Sequence, residues 1–363
     1  MTLSQAPKSS GLRAAILVAL TPVAAYLAWW ESVTTVAASG LDPPASEAKA
    51  VLRHQPLDAA ALRVLAFALQ TPEAETNSLL RLSGTVSRHD GQTQLHLFND
   101  RMLAGDFSAA LGHYDALLST TPDANGTLYG FLTIALGEPR IRAGLTAYAG
   151  RAWFRSFLRT ASGPGGNPRQ TLALARETGV LSDPDWRNEV SAPLITGLVA
   201  AGALGEAQGI ADRLGLGDWR ALSFSPTTMD SRLGSLAWRL EGQVAGAANL
   251  YTADILGVTA EPQRRARVAQ RLTAWSPGRY RLAYVVEASR GPLADVTWRV
   301  TCQAGQPAGA SVVGQSPGAS GARAALVTLG QDCLVQEWAL WVEGADSQTP
   351  SSAFVSQVAV EAL

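Results

Sequence analysis

Charge is scarce in this sequence, and its basic charge is almost entirely arginine. Asp, Glu, Lys and Arg make up 16% of the 363 residues, the formal net charge is −1, and lysine occurs only at Lys8 and Lys49. A chain with this balance offers no electrostatic attraction to a polyanion such as DNA or RNA. We therefore expect no nucleic-acid partner.

Histidine and cysteine are also scarce, and their positions exclude several kinds of site. The four histidines, of which His113 is the last, lie far upstream of the only two cysteines, Cys302 and Cys333. Two cysteines alone do not make a zinc site, and a C-terminal part without histidine cannot form a Ser-His-Asp or Cys-His arrangement. We expect no metal, no other cofactor and no enzymatic activity.

An uncharged, strongly apolar segment lies near the N-terminus. Residues 14–30 follow a short basic tail and end in two tryptophans, and their length is close to the lower limit for a helix that spans a bilayer. We predict a cytoplasmic tail at 1–11, an inner-membrane anchor at 12–31 and a linker at 32–42, with the remaining chain in the bacterial periplasm. The small residues at 36–40 leave a cleaved signal peptide as the alternative.

The periplasmic location gives the two cysteines a role. In an oxidising compartment, two cysteines in one predicted domain are expected to pair. We predict a disulfide between Cys302 and Cys333, with two buried free thiols as the alternative.

Residues 43–217 have the hydrophobic spacing of paired helices, and 105–122 shows it best. In a helix pair, a small residue allows close approach, an aromatic residue fills the gap to the next pair, and proline ends the helix. The residues that fit these roles are Gly105, Phe107, Ala110, Tyr114, Leu117 and Pro122.

This pattern resembles the second helix of a tetratricopeptide repeat, with Phe98 where that family usually has glycine. The resemblance implies stacked helix pairs, a fold that commonly binds a peptide or a partner helix. We expect an envelope protein as the partner of 43–217, and a simple spacer is the alternative.

From about residue 218 the hydrophobic period changes to that of β-strands. Residues 276–288, 295–302, 333–343 and 353–363 alternate between apolar and polar positions and are separated by Gly, Pro and Ser. Several short strands with such turns are typical of an antiparallel β-sandwich. The predicted fold is therefore multidomain: an all-α repeat at 43–217 and a sandwich of jelly-roll type at 218–363.

Segment 333–343 is predicted to have one buried and one open face, because side chains alternate along a strand. The core face would hold Leu334, Gln336, Trp338, Leu340 and Val342. Cys333, Val335, Glu337, Ala339, Trp341 and Glu343 would share the other face. Trp341, between two glutamates, is either a stacking platform for a sugar or a residue packed beneath another element.

Arginines are predicted to line two consecutive strands, with Arg265, Arg267 and Arg271 on one and Arg279 and Arg281 on the next. Guanidinium groups on adjacent strands suit an acidic glycan, because they bind its acidic groups through two parallel hydrogen bonds. Ordinary solvated ion pairs are the alternative. The candidate glycan-binding residues are Trp341, Glu337, Glu343, Arg265, Arg267, Arg271, Arg279 and Arg281.

The C-terminal part also resembles β-sandwich modules that bind carbohydrate, through LTAWSPGRYRLAY, a Trp-containing strand that ends in Cys302, and an aromatic strand with Gln336. The whole plan is similar to proteobacterial membrane-anchored proteins of envelope and exopolysaccharide assembly. This resemblance implies a non-catalytic scaffold or accessory protein that holds a polysaccharide. The alternatives are a protein adaptor without glycan binding and a carbohydrate-active hydrolase, which needs only two carboxylates.

Overall fold

The computed structural model describes residues 45–68, 73–120, 125–290, 293–302 and 321–363. The chain divides after Tyr148 into two compact units. The first unit is helical, and the second contains helices followed by two antiparallel sheets. The predicted anchor lies outside the described residues, and none of the helices within them has the length and apolar character needed to cross a membrane.

The first unit contains seven described α-helices, and most sequential neighbours pack on each other. They are α1 (Ala45–His54), α2 (Ala59–Ala68), α3 (Glu73–Val86), α4 (Gly91–Leu103), α5 (Phe107–Thr120), α6 (Asn125–Ala135) and α7 (Pro139–Leu145). Local chemistry sets the helix starts: the Asp58 carboxylate accepts the Ala61 amide (2.8 Å) and the Asp90 carboxylate accepts the Thr93 amide. Both aspartates satisfy amides that have no partner within their own helices.

Helices α4 and α5 form the helix pair expected from the 105–122 pattern. Gly105 adopts a positive φ of 74° at the turn between them, and Ala110, Tyr114 and Leu117 are buried on the facing side of α5. The ring of Tyr114 lies 4.9 Å from that of Phe98. The helix pairing is confirmed, whereas membership of the tetratricopeptide class stays a prediction.

The other residues of that pattern have different outcomes. Phe107 is half-buried at the start of α5, and the guanidinium of Arg140 lies 4.6 Å from its ring centroid. Pro122 lies outside the described residues.

The helices of the second unit are α8 (Ala152–Ser162), α9 (Pro168–Glu177), α10 (Pro184–Ala200) and α11 (Leu204–Arg213). Helix α10 crosses the end of α8 so closely that a Cβ on Gly197 would lie 1.9 Å from the Ser162 carbonyl oxygen. A 3₁₀ helix at Ser231–Leu236 packs on α10, where the Ser235 amide donates to Thr196 Oγ1 (3.0 Å). Helices α8 to α11 belong to the same compact unit as the strands, and the expected domain bounds, 43–217 and 218–363, stay a prediction.

Ten described strands form the two sheets. They are β1 (Arg239–Leu240), β2 (Gly242–Gln243), β3 (Gly246–Thr252), β4 (Ile255–Ala260), β5 (Arg265–Thr273), β6 (Gly278–Arg290), β7 (Leu293–Cys302), β8 (Gly321–Leu329), β9 (Gln336–Gly344) and β10 (Ser351–Ala362). The order is β1-β5-β9-β7 in the four-stranded sheet and β2-β3-β4-β10-β6-β8 in the six-stranded sheet. The inward-facing residues of both sheets share one hydrophobic core, so the predicted sandwich is confirmed, and its jelly-roll type stays a prediction.

The predicted disulfide is confirmed. Cys302 ends β7 and Cys333 precedes β9, with their Cα atoms 5.2 Å apart. Both cysteines lie in the core of the sandwich. The bond therefore ties the end of β7 to the residues just before β9, its neighbour in the four-stranded sheet.

The face prediction for 333–343 is correct for the strand except at Ala339, which was expected on the open face but is buried, and it is wrong for the residues before the strand. Trp338, Leu340 and Val342 are buried, as expected. Leu334 was expected in the core but is 69% exposed, and Cys333 and Val335 were expected on the open face but are buried. The reason is that β9 begins only at Gln336, so the alternation of a strand does not extend back to residues 333–335.

Candidate functional site

The outer face of the four-stranded sheet is the surface around Trp341, and its geometry follows from the pairing of three strands. Strand β9 lies between β5 and β7. Trp341 stands directly beside Arg267 on one side and Thr297 on the other. Because Leu340 and Val342 point into the core, Trp341 points outward, where it is half-buried.

Two arginines contact the indole of Trp341 from the two neighbouring strands. The guanidinium carbon of Arg265, on β5, lies 5.7 Å from the ring centroid, and that of Arg299, on β7, lies 4.8 Å from it. Both distances fall within the range of cation–π attraction. Both arginines are exposed, so the indole holds two solvent-accessible cations and is not a bare platform.

A third arginine on this face is fully ion-paired. Arg267 Nη2 lies 3.0 Å from Glu241 Oε1, and Arg267 Nη1 lies 3.2 Å from Glu337 Oε1. The Val268 carbonyl helps to position Glu241 beside Arg267, because it accepts a hydrogen bond from the backbone amide of Glu241 (2.8 Å). Arg267 and Glu337 therefore neutralise each other on the surface where the sequence placed them.

Arg271 was expected on the same face and is instead buried, with 2% of its surface exposed. The cause is a β-bulge: Arg267 pairs with Trp341 and Ala269 with Leu340, so that Val268 has no partner. One extra residue in a strand reverses the face of every residue after it. The prediction that Arg271 is available to a ligand is wrong.

The buried guanidinium of Arg271 has a structural role. Its Nη2 donates to the Trp219 carbonyl (2.8 Å), and its Nη1 donates to the Ala221 carbonyl. The guanidinium carbon also lies 5.6 Å from the ring centroid of Trp238. Burial lowers the pKa of Arg271 to about 10, and Asp218 opposes that shift. The group stays charged at neutral pH and attaches residues 219–221 to the sheet.

Arg279 and Arg281 are exposed but lie on the other sheet. Both belong to β6, which pairs with β8 and β10 in the six-stranded sheet. The expected row of five arginines on adjacent strands is therefore wrong, because consecutive strands of this sandwich alternate between sheets here.

A buried amide fixes the beginning of β9 beneath this surface. Gln336 Oε1 accepts hydrogen bonds from Thr273 Oγ1 (3.0 Å) and from the Trp275 amide (2.9 Å). Its amide nitrogen donates to the Cys333 carbonyl. These bonds join β5 to β9 and fix the register that places Trp341 beside Arg267.

Arg299 was absent from the candidates taken from the sequence. The alternation within 295–302 buries Trp298 and therefore turns Arg299 outward, so its exposure could have been predicted. Its contact with Trp341 requires β7 and β9 to be neighbours, and the sequence contains no signal for that pairing.

Metal-binding side chains do not cluster in the described residues. No group of three or more His, Cys, Asp or Glu there is arranged to hold a metal ion.

Comparison with known proteins gives a limited result. No protein-family model and no curated protein matches the chain. Among solved structures, TmCBM61 in complex with β-1,4-galactotriose matches with a TM-score of 0.25 and 12% identity, over 40% of this chain and 97% of that one. A CBM4 structure matches with a TM-score of 0.25 and 9% identity, over 35% of this chain and 78% of that one. A family 16 carbohydrate-binding module matches with a TM-score of 0.23 and 12% identity, over 32% of this chain and 85% of that one. These proteins are carbohydrate-binding modules, but at such TM-scores the similarity decides nothing about the ligand of this protein.

Proposed function

We propose that this protein binds a glycan through the outer face of the four-stranded sheet, with Trp341 at its centre. The observation that carries the proposal is the contact of the exposed Arg265 and Arg299 with the Trp341 indole. A sugar ring offers both apolar C–H groups and hydroxyls, so a site for it needs an aromatic surface beside hydrogen-bonding groups. This face offers both.

The carboxylates of the same strand complete the set of hydrogen-bonding groups. Glu337 and Glu343 lie on the same face of β9 as Trp341 and are half-buried. Carboxylates accept hydrogen bonds from hydroxyls, and guanidinium groups donate to ring and glycosidic oxygens. Trp341 would then orient the sugar while these groups select its hydroxyl pattern.

The wider role follows from the sequence. The proposal includes an inner-membrane anchor at 12–31, a periplasmic location for the remaining chain and an accessory function in envelope or exopolysaccharide assembly. The paired helices of the first unit support a docking role, because stacked helix pairs present surfaces for a protein partner. An envelope protein would bind there while the sandwich holds the glycan.

Affinity electrophoresis of the full-length protein tests glycan binding. The gels contain polygalacturonate, its methyl ester, dextran sulfate or dextran. We expect at least one of these polysaccharides to retard the wild-type protein, and we expect Trp341→Ala to migrate in that gel as it does without polysaccharide. Tyr251→Ala is the matched control, because Tyr251 is a 63% exposed aromatic residue on the six-stranded sheet. Retardation that survives Trp341→Ala, or is equally lost in Tyr251→Ala, would contradict the proposal.

Two alternative functions give different results in simple assays. An adaptor without glycan binding would show no retardation on any polysaccharide, while the first unit would still recover a protein partner. A hydrolase would release reducing sugar when the purified protein is incubated with a polysaccharide. Our proposal expects retardation without release.

A further inference from the structure

We infer that the glycan bound at Trp341 is anionic, and that Arg265 and Arg299 bind its carboxylate or sulfate groups. This inference rests on the proposed function and names the class of glycan. It starts from a difference between the arginines of one surface: Arg267 is bound by two carboxylates, whereas Arg265 and Arg299 are bound by none among the described residues.

Within the part of the chain that the structure describes, the side chains of Arg265 and Arg299 form no ion pair and donate no hydrogen bond to protein. Both are exposed, and both are held against the Trp341 ring. Each guanidinium carries five N–H donors that point in fixed directions. The surface therefore presents two unneutralised, positioned sets of donors on either side of one strand.

The carboxylates nearest to these arginines do not neutralise them. Glu343 lies opposite both Arg265 and Asp295 in the strand register, yet it forms no ion pair with a described residue. The Asp295 carboxylate accepts the Thr297 hydroxyl. Glu241 and Glu337 are both bound to Arg267. An acidic sugar could pair its anionic group with the free guanidinium groups and donate its hydroxyls to Glu343.

The contact with Trp341 also explains why arginine suits this role. A guanidinium group that rests on an aromatic ring keeps its N–H groups free at its edge, and that edge matches the two oxygens of a carboxylate or sulfate. The indole restricts the orientation of both side chains before a ligand arrives. Less conformational entropy is then lost when the ligand binds.

Polysaccharides that differ only in charge test this inference on the full-length protein. The two probe pairs are polygalacturonate with its methyl ester, and dextran sulfate with dextran. We expect the acidic member of at least one pair to be retained more strongly than its neutral counterpart. Arg265→Gln and Arg299→Gln should each weaken that retention about tenfold or more, because each removes a charge-assisted contact.

Control variants separate specific contacts from general attraction. Arg281→Gln removes the same charge from an exposed position on the six-stranded sheet and should leave retention unchanged. Arg299→Lys keeps the charge without the paired donors and should restore only part of the binding. A loss in Arg281→Gln equal to that in Arg299→Gln would overturn the inference.

The remaining outcomes distinguish this inference from the proposed function. In one outcome the wild-type protein retains neutral and acidic polysaccharides equally, and this retention is lost in Trp341→Ala but unchanged in Arg265→Gln and Arg299→Gln. That result would support glycan binding and overturn the inference that the glycan is anionic. Retention of neither member of either pair would count against both proposals.

Discussion

Arg271 lies directly opposite Trp338 where β5 pairs with β9, and both side chains point into the core. Four residues earlier on β5, Arg267 lies opposite Trp341 and points out of the sheet. The bulge at Val268 separates these two environments. Because of the bulge, Arg271 is buried and stabilises the fold, whereas Arg267 lies on the candidate binding surface.

Replacing Arg271 should destabilise the second unit strongly. Arg271→Met would leave the Trp219 and Ala221 carbonyls without their donors in a buried place, and unpaired buried groups of this kind cost about 1–3 kcal/mol each. Arg271→Lys should not restore stability, because one ammonium cannot reproduce the two-pronged geometry. Urea unfolding followed by tryptophan fluorescence measures the effect, since every described tryptophan lies in the second unit. Arg281→Met is the control. An equal urea midpoint for Arg271→Met and Arg281→Met would contradict the structural role of Arg271.

Trp338 and Trp341 should separate stability from binding. Trp338 is fully buried, its indole nitrogen donates to Thr273 Oγ1 (2.9 Å), and its ring lies 4.8 Å from that of Trp275. Trp338→Ala should therefore cost about 3–5 kcal/mol, as truncation of other large core residues does. Trp341→Ala should cost about 1 kcal/mol while abolishing glycan retention. A comparable loss of stability in both variants would show that Trp341 serves chiefly to stabilise the fold.

The sequence was informative wherever one regular strand faces one core. Alternation alone placed Trp338, Leu340 and Val342 in the interior, and the structure agrees. On a regular strand every second side chain points to the same face, so the local sequence is sufficient to predict which residues are buried.

The candidate binding surface was harder to predict because it depends on a β-bulge and on which strands are neighbours in the sheet. Arg267 and Arg271 have the same parity, and nothing in the sequence marks Val268 as a bulge. Arg281 follows Arg271 closely in sequence but lies on the other sheet. The contact of Arg299 with Trp341 joins strands separated by β8. Such relationships are tertiary, and local periodicity contains no information about them.

Two glycines of the second unit should respond in opposite ways to a single methyl group. Gly197→Ala would place its Cβ 1.9 Å from the Ser162 carbonyl oxygen, so α8 and α10 would have to separate. We expect a loss of about 1–3 kcal/mol or more, as in other overpacked interiors. Gly209→Ala, on the exposed side of α11 with no atom near its added Cβ, should stabilise by about 0.5–1 kcal/mol. Thermal unfolding of the pair measures both effects, and destabilisation by both alanines would contradict the packing described.

Removing the disulfide should destabilise the sandwich to a measurable degree. Cys302 and Cys333 are 31 residues apart in sequence, and the chain-entropy model gives about 3–4 kcal/mol for closing a loop of that size. The double variant Cys302→Ala/Cys333→Ala should unfold at a lower urea concentration than the wild type. Addition of a reductant should lower the wild-type midpoint and leave that of the double variant unchanged. A wild-type protein that reacts with two equivalents of alkylating agent before reduction would show that the bond is absent.

His113 should make the first unit less stable in mild acid. Its Nδ1 lies 2.8 Å from Oε1 of Gln94, which is buried. Burial lowers the pKa of His113 below its ordinary value of 6.5, Arg101 and Arg88 lower it further, and Asp100 opposes them. The unfolded chain therefore binds a proton at a higher pH than the folded chain does, so stability falls as the pH drops below 6.5.

Hydrogen exchange can localise this effect to the helices that carry His113 and Gln94. Amides of α4 and α5 should lose protection between pH 7 and pH 5, after correction for the intrinsic pH dependence of exchange. His113→Gln keeps a hydrogen-bonding group without a titrating ring, and it should lose less protection over the same range. His89→Gln, at an exposed position before α4, is a control that removes another histidine, leaves His113 intact and should retain the wild-type loss. An identical fall in protection for the wild type and His113→Gln would show that another group causes the acid sensitivity.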